Sequence, residues 1–268
     1  MDYFLYLAAG ALAGLLSGLF GLGGGIIIVP VLVFLFTASG WSQDIITHLA
    51  IGTSLGTIVV TSMVSIATFQ QHRMIRWPIV RSLAAGIVVG AFIGGFAGSQ
   101  LSGYLLQLLF GCLMILVAAQ LVFGNPARES DLPSSGLLGG AGFMIGALSS
   151  VLGIGGGSLT VPFLTYRGVV IRQAVAVSAA CGLPLALVGA AGYIISGFNS
   201  TNLPDGSIGY LFFPAWLGIV LASMPFARLG ARVAHRLNER RLRQLFAGIS
   251  LVLGVRFIWI NSPLVLGS

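Results

Sequence analysis

The chain has 268 residues, of which 57% are hydrophobic and 7% are charged, and its mean hydropathy is +1.02. Too few polar side chains remain to cover a water-soluble globule, so a soluble domain is excluded and lipid is the expected solvent. The formal net charge of +7 comes from 13 basic residues, all arginine and mostly in short loops, which indicates membrane orientation rather than nucleic-acid binding.

Long apolar segments follow one another along the chain without alternating polar positions, so they predict helices rather than the strands of a membrane barrel. We predict an all-α polytopic membrane protein of two repeats, residues 1–123 and 136–268, joined by a cytoplasmic linker at 124–135. Each repeat is a glycine-broken helical hairpin followed by three transmembrane helices. The predicted hairpins span 3–37 and 136–166, and the predicted helices span 44–69, 79–98, 101–123, 172–198, 208–228 and 240–261.

The repeat is clearest in Gly14–Leu32, which returns 132 residues later as Gly146–Leu164. Both copies contain Gly-x-Gly-Gly-Gly, with a proline five residues after the last glycine. Glycine costs about 1 kcal/mol against alanine inside a helix, so each triplet predicts a break. The proline keeps the second arm of the hairpin short or kinked.

The arginines predict how the two repeats are oriented, because short arginine-rich loops stay in the cytoplasm. In repeat one, Arg73, Arg76 and Arg81 follow the helix at 44–69; in repeat two, arginines instead precede the helices at 172–198 and 240–261. Equivalent loops therefore face opposite sides, which predicts an inverted-topology repeat of the kind found in secondary transporters. The N-terminus and the C-terminus are then both expected on the outer side of the membrane.

A helix broken at membrane depth persists only where its freed backbone groups are buried in protein or line a cavity. The arm that resumes after each break presents N–H groups and a positive dipole end, which suit an anion. We therefore predict a substrate site at the two breaks, with hydroxyls from the next helix and basic groups at the mouth of the pathway. The predicted substrate-binding residues are Gly23, Gly24, Gly25, Gly155, Gly156, Gly157, Ser158, Thr53, Ser54, Ser178, His48 and Arg172, and Pro30 and Pro162 are predicted kinks or gates.

Other glycines recur every four residues, a spacing typical of close helix packing, and these faces could also form a homodimer. They are Gly10, Gly14 and Gly18, and Gly86, Gly90, Gly94 and Gly98. Cys112 and Cys181 have no partner at metal or redox spacing, so we interpret them as small core residues and expect no cofactor and no metal.

The doubled Gly-x-Gly-Gly-Gly element with its following proline, the Thr53-Ser54-Leu55 step and the total length resemble the TauE/SafE family of membrane exporters. The resemblance covers essentially the whole chain. It implies a secondary transporter that exports sulfite or an organosulfonate across the bacterial inner membrane by alternating access. Repeat two departs from the family pattern, because Val177-Ser178-Ala179 stands where the Thr-Ser step is expected.

Two alternatives stay open: an anion channel, and an uptake carrier for a different small anion. An intramembrane enzyme is disfavoured, because the sequence offers no Ser-His pair, no aspartate pair and no His-Glu-x-x-His metal site. The coupling mechanism is also open. It could use an ion gradient through backbone carbonyls, His48, or simple passage down the anion's own gradient.

Overall fold

The structure is a computed structural model that describes residues 2–20, 24–123, 134–200, 202–234 and 239–266. Gly23, linker residues 124–133 and the surroundings of Gly18 lie outside the described part. Within it the chain is all-α, as predicted, with one small β-hairpin. The helices are α1 Asp2–Phe20, α2 Gly25–Ala38, α3 Gln43–Gln71, α4 Trp77–Gln100, α5 Gly103–Phe123, α6 Ser135–Leu152, α7 Gly157–Tyr166, α8 Ile171–Gly197, α9 Phe213–Ala234 and α10 Glu239–Leu266, with strands β1 Ser207–Ile208 and β2 Leu211–Phe212 before α9.

Five of the described helices, α3, α4, α5, α6 and α8, are long and apolar enough to cross a membrane. Apolar stretches of α1, α2, α9 and α10 are shorter. Large apolar side chains such as Phe92, Leu116 and Leu221 are exposed on the outer surface of the bundle. That distribution fits lipid as the surrounding solvent and supports a polytopic membrane protein.

Helices α3 and α8 pack against each other in the centre of the bundle and run antiparallel. A Cβ atom at Gly189 would lie 3.2 Å from Leu55 Cδ1, and one at Gly182 would lie 3.0 Å from Ser62 Oγ. The residue number therefore rises along one helix as it falls along the other. These two helices occupy equivalent places in the two sequence repeats.

Helices α5 and α10, which are also equivalent in the two repeats, form a second antiparallel pair. The side-chain amide of Asn261 donates to Gln107 Oε1 at 3.0 Å, and one helical turn further on the rings of Phe110 and Phe257 meet edge to face at 5.4 Å. The Gln107 amide in turn donates to Thr47 Oγ1 at 2.8 Å, which ties this pair to α3.

The glycines at four-residue spacing form seams within the chain, as the sequence predicts. A Cβ atom at Gly86, Gly90 or Gly94 of α4 would collide with the backbone of α6, and one at Gly10 or Gly14 of α1 would collide with the backbone of α9. Backbones this close leave no room for another chain, so a homodimer would have to use a different surface. The pairs α4 with α6 and α1 with α9 are equivalent under the sequence repeat.

Two details differ from the sequence expectation. Helix α9 begins at Phe213 rather than at 208, because the turn residues Pro204-Asp205-Gly206 start a β-hairpin in which Ser207 pairs with Phe212. Cys181 is buried, as expected, but Cys112 is exposed on the outer surface of α5, so its interpretation as a core residue is wrong.

Candidate functional site

Each of the two helix breaks contains a glycine in the left-handed conformation. Gly24 precedes α2 with φ +76°, and Gly153 follows α6 with φ +68°. An L side chain rarely adopts this φ, whereas glycine does so without steric cost. The backbone reversal at each break therefore depends on glycine.

The two breaks lie against each other. A Cβ atom at Gly25 would lie 2.7 Å from the carbonyl oxygen of Gly153 and 2.9 Å from the amide nitrogen of Gly155. A Cβ atom at Gly153 would lie 3.0 Å from Ile51 Cα and 3.1 Å from Val29 Cγ2. The start of α2, the end of α6 and the middle of α3 therefore meet at one point.

The carbonyl groups at the end of α6 are largely satisfied. The N–H groups of Gly153 and Ile154 donate to the carbonyls of residues 150 and 149 at 3.3 and 2.9 Å. The hydroxyl of Tyr193 donates to the carbonyl of residue 151 at 2.9 Å, and the hydroxyl of Ser54 donates to the Gly153 carbonyl, also at 2.9 Å. The carbonyls of residues 149, 150, 151 and 153 at the end of α6 therefore all have donors.

On the opposite side of the same break, backbone N–H groups lack hydrogen-bond acceptors. Helix α7 begins at Gly157, and no side chain caps it at Gly156. The N–H groups of Leu159 and Thr160 bond to the Gly156 carbonyl, whereas those of Gly157 and Ser158 have no acceptor among the described residues. The helix dipole adds partial positive charge at the same end. The start of α7 can therefore donate hydrogen bonds to a bound anion.

Two buried hydroxyl groups lie in the first turn of this helix. Ser158 and Thr160 are 1% and 0% exposed, and neither side-chain oxygen has a hydrogen-bond partner among the described residues. The oxygen of Thr160 lies beside Gly156, where a Cβ atom would be 3.4 Å from it. At the end of α6, Ser149 and Ser150 are also fully buried and have no partner in the described part of the chain, and Ser150 Oγ lies toward Gly95 of α4 and Gly189 of α8.

Sequence reasoning selected Ser158 but missed Thr160, Ser149 and Ser150. A signal for Thr160 was available in the repeat, because Ser158 and Thr160 replace Ile26 and Ile28 of repeat one. The two serines of α6 carried no such signal, because intramembrane hydroxyls commonly bond to the carbonyl one turn back.

Of the predicted hydroxyls on α3 and α8, Thr53 and Ser54 already have partners. Thr53 Oγ1 accepts the N–H of Phe212 at 3.0 Å, which holds the β-hairpin against α3. Ser54 fixes the second break through the Gly153 carbonyl. Ser178 is buried in α8.

His48 and Arg172 do not meet at the breaks. His48 is buried near the start of α3, with Nδ1 3.0 Å from the carbonyl oxygen of Asp44, Nε2 2.9 Å from that of Leu101, and its ring stacked on Tyr210 at 5.0 Å. A neutral imidazole donates to one such carbonyl, whereas an imidazolium donates to both. Arg172 is exposed in the first turn of α8.

The two prolines lie inside the resumed helices, Pro30 in α2 and Pro162 in α7. Each proline lacks an N–H group and cannot bond to the carbonyl four residues earlier. That carbonyl belongs to Ile26 in α2 and to Ser158 in α7. Both resumed helices are short, with 14 and 10 residues.

A bundle with apolar spans and two apposed helix breaks at its centre defines a polytopic α-helical membrane protein of the transporter class. Residues 6–257 match the family described as sulfite exporter TauE/SafE, and the chain belongs to that family.

Several relatives align with this chain over almost the full length of both proteins. A probable membrane transporter protein of Haemophilus influenzae is 38% identical over 255 residues, which is 94% of this chain and 96% of the relative. The probable membrane transporter protein MJ0441 of Methanocaldococcus jannaschii is 29% identical and covers 94% of this chain and 93% of the relative. The probable membrane transporter protein YunE of Bacillus subtilis is 26% identical and covers 97% of this chain and 98% of the relative. No solved structure matches the chain significantly. The protein is therefore a multi-pass membrane transporter.

Proposed function

We propose that this protein is a secondary transporter that moves a small anion, sulfite or an organosulfonate, out across the bacterial inner membrane. The anion binds at the paired glycine breaks, and alternating access carries it from one side to the other. The family supports the substrate class, since its description names a sulfite exporter. An anion channel and an uptake carrier for another small anion are the alternatives.

One observation carries the anion assignment. At the second break the carbonyls of residues 149, 150, 151 and 153 accept hydrogen bonds. Among the described residues, the N–H groups of Gly157 and Ser158 and the hydroxyls of Ser158 and Thr160 have no acceptor. A buried donor without a partner costs about 1–3 kcal/mol. A ligand rich in acceptor oxygens would satisfy both the N–H groups and the hydroxyls, whereas a cation could use the hydroxyl oxygens but would leave the N–H groups unpaired.

Inverted repeats supply a mechanism for alternating access. The antiparallel pairs α3 with α8 and α5 with α10 join equivalent helices of the two repeats. Equivalent helices therefore run in opposite directions, which supports the inverted orientation expected from the arginine loops. If the two repeats exchange conformations, the breaks open to the opposite side of the membrane.

The arginine loops support an orientation in which both termini are outside and His72–Arg76 faces the cytoplasm. A negative-inside potential then favours exit of an anion by about 2.3 kcal/mol per charge per 100 mV. Among the side chains that the structure describes, the carboxylates Asp44 and Asp205 are both exposed. Export down the potential needs no buried carboxylate for proton coupling.

The test is anion flux into proteoliposomes containing the purified protein, with labelled sulfite and a labelled organosulfonate. We expect saturable uptake and counterflow, which a channel lacks. Gly156→Leu should abolish flux, because the new side chain would fill the space beside Thr160 and Leu185. Gly140→Leu is the matched control, since a Cβ atom at Gly140 meets nothing within 4 Å.

Three outcomes would count against the proposal. Ohmic single-channel current without counterflow would favour the channel. Normal flux through Gly156→Leu would move the site away from the break. An absence of flux for every anion tested, with the protein folded and inserted, would overturn the anion assignment itself.

A further inference from the structure

The two glycine breaks are related by the sequence repeat, but their surroundings differ chemically. In repeat two, the first turn of α7 carries Ser158 and Thr160. In repeat one, the equivalent positions of α2 are Ile26 and Ile28, which are 1% and 3% exposed. Both helices begin with uncapped amides, but the first turn of α2 offers aliphatic side chains where that of α7 offers hydroxyls.

The donors of α7 are arranged for a ligand that contains oxygen. The N–H of Thr160 bonds to the carbonyl of Gly156 at 2.7 Å, but its side-chain oxygen, beside the same glycine, is unpartnered. Ser158 adds a second unpartnered hydroxyl in the same turn. Together with the uncapped amides of α7, these hydroxyls suit the oxygens of a small oxyanion.

The site contains no full positive charge among the described residues. Arg167 lies at the far end of α7, about 15 Å away at 1.5 Å per residue over a ten-residue helix, and Arg172 is exposed. The His48 ring is engaged with the carbonyls of Asp44 and Leu101. The positive charge at the break is therefore that of helix dipoles: α7 begins there and α2 begins beside it, and each N-terminus is equivalent to roughly half an elementary charge.

This charge balance distinguishes anions of similar shape by their net charge. Two such half charges and several neutral donors can stabilise one negative charge, whereas a second negative charge would be buried without compensation. A sulfonate group has one negative charge and sulfate has two, although both are tetrahedral oxyanions of sulfur. The geometry therefore favours a singly charged anion, which among the proposed substrates means an organosulfonate or hydrogen sulfite rather than the sulfite dianion.

We propose that the molecule binds one anion at a time, at the break between α6 and α7, and that this site selects a singly charged oxyanion over a doubly charged one of similar shape. At the first break the equivalent residues Ile26 and Ile28 are buried and add no hydroxyl to the site. This inference rests on the proposed function and adds the location and the charge of the substrate.

The test is binding of methanesulfonate and sulfate to the purified full chain in detergent at matched ionic strength, measured by calorimetry and by thermal shift. We expect methanesulfonate to bind and raise the unfolding temperature. Sulfate should bind at least tenfold more weakly. Thr160→Val, which keeps the side-chain shape and removes the hydroxyl, should weaken methanesulfonate binding about tenfold.

Two control variants make the result specific. Ser250→Ala removes another fully buried, unpartnered hydroxyl, in α10, and should leave binding unchanged. Ile28→Val shortens the equivalent residue of repeat one without adding a donor and should change binding less than Thr160→Val does. The unfolding temperature without ligand shows whether each variant is folded.

The possible failures are distinguishable. Equal affinity for sulfate and methanesulfonate would overturn the charge selection and leave anion transport intact. Unchanged methanesulfonate affinity in Thr160→Val, or an equal loss in Ile28→Val, would overturn the assignment to repeat two. A protein that neither binds nor transports any anion would refute the proposed function as well.

Discussion

Ser54 joins the two sequence repeats through a single hydrogen bond. Its hydroxyl, on α3, donates to the Gly153 carbonyl at the second break, 99 residues away in the chain. Both groups are buried, so the carbonyl would have no donor if the hydroxyl were removed. The residue therefore has a structural role at the site even if the anion never touches it.

We expect Ser54→Ala to lower the free energy of unfolding by about 1–2 kcal/mol, because a buried carbonyl loses its donor. Chemical unfolding in detergent would measure the change. The control is Ser65→Ala, whose half-buried hydroxyl bonds only to the carbonyl of Thr61 one turn back. Equal effects of the two substitutions would mean that the Gly153 contact contributes nothing specific.

His48 makes two hydrogen bonds and two ring contacts, with Tyr210 and Tyr193, and none of them is to a glycine of the breaks. His48→Phe keeps a ring against Tyr210 but leaves the Leu101 carbonyl without its imidazole partner. We expect a loss of about 1–3 kcal/mol in stability, read from thermal unfolding, with substrate affinity unchanged. The exposed His72, substituted by Gln, is the control. A variant that unfolds normally but binds substrate weakly would instead support the substrate-binding role expected from the sequence.

At the scale of elements, glycine has two different uses in this chain. In the seams it lets helix backbones approach, and at the breaks it adopts a conformation that other residues avoid. A substitution in α4 at the seam and one in α6 away from it should therefore have opposite effects.

We expect Gly90→Ala to destabilise the fold by about 1–3 kcal/mol, because its methyl group would collide with the Phe143 carbonyl of α6. Gly140→Ala, in open space on α6, should stabilise by up to about 1 kcal/mol through better helix propensity. Unfolding of the two variants side by side tests the sign of each change. A stabilising Gly90→Ala would show that the seam can separate at no cost.

The helix breaks and the glycine seams could be predicted because they depend on local chemistry: consecutive glycines disfavour a helix, and glycines every four residues line one face. The partners of Thr53 and Ser54 could not be predicted, since Phe212 and Gly153 are distant in sequence and only packing brings them near. The start of α9 was missed for the same reason, because the hairpin before it is anchored on Thr53.

For the whole molecule, the orientation of the two repeats decides whether alternating access by repeat exchange is possible. The antiparallel packing of α3 with α8 and of α5 with α10 makes equivalent helices run in opposite directions. Equivalent loops should then be reached from opposite sides of the membrane. A parallel duplication would place them on the same side.

Four exposed positions test this orientation by cysteine labelling in a background that lacks Cys112 and Cys181: Ser39, Val170, His72 and Asp205. In intact cells, a membrane-impermeant thiol reagent should label Ser39→Cys and Asp205→Cys. The equivalent positions Val170→Cys and His72→Cys should react only after permeabilisation, because their loops carry the arginines that remain in the cytoplasm. Labelling of Ser39→Cys and Val170→Cys from the same side would contradict the inverted repeat, and the anion would then need a pathway that does not depend on exchange between the two halves.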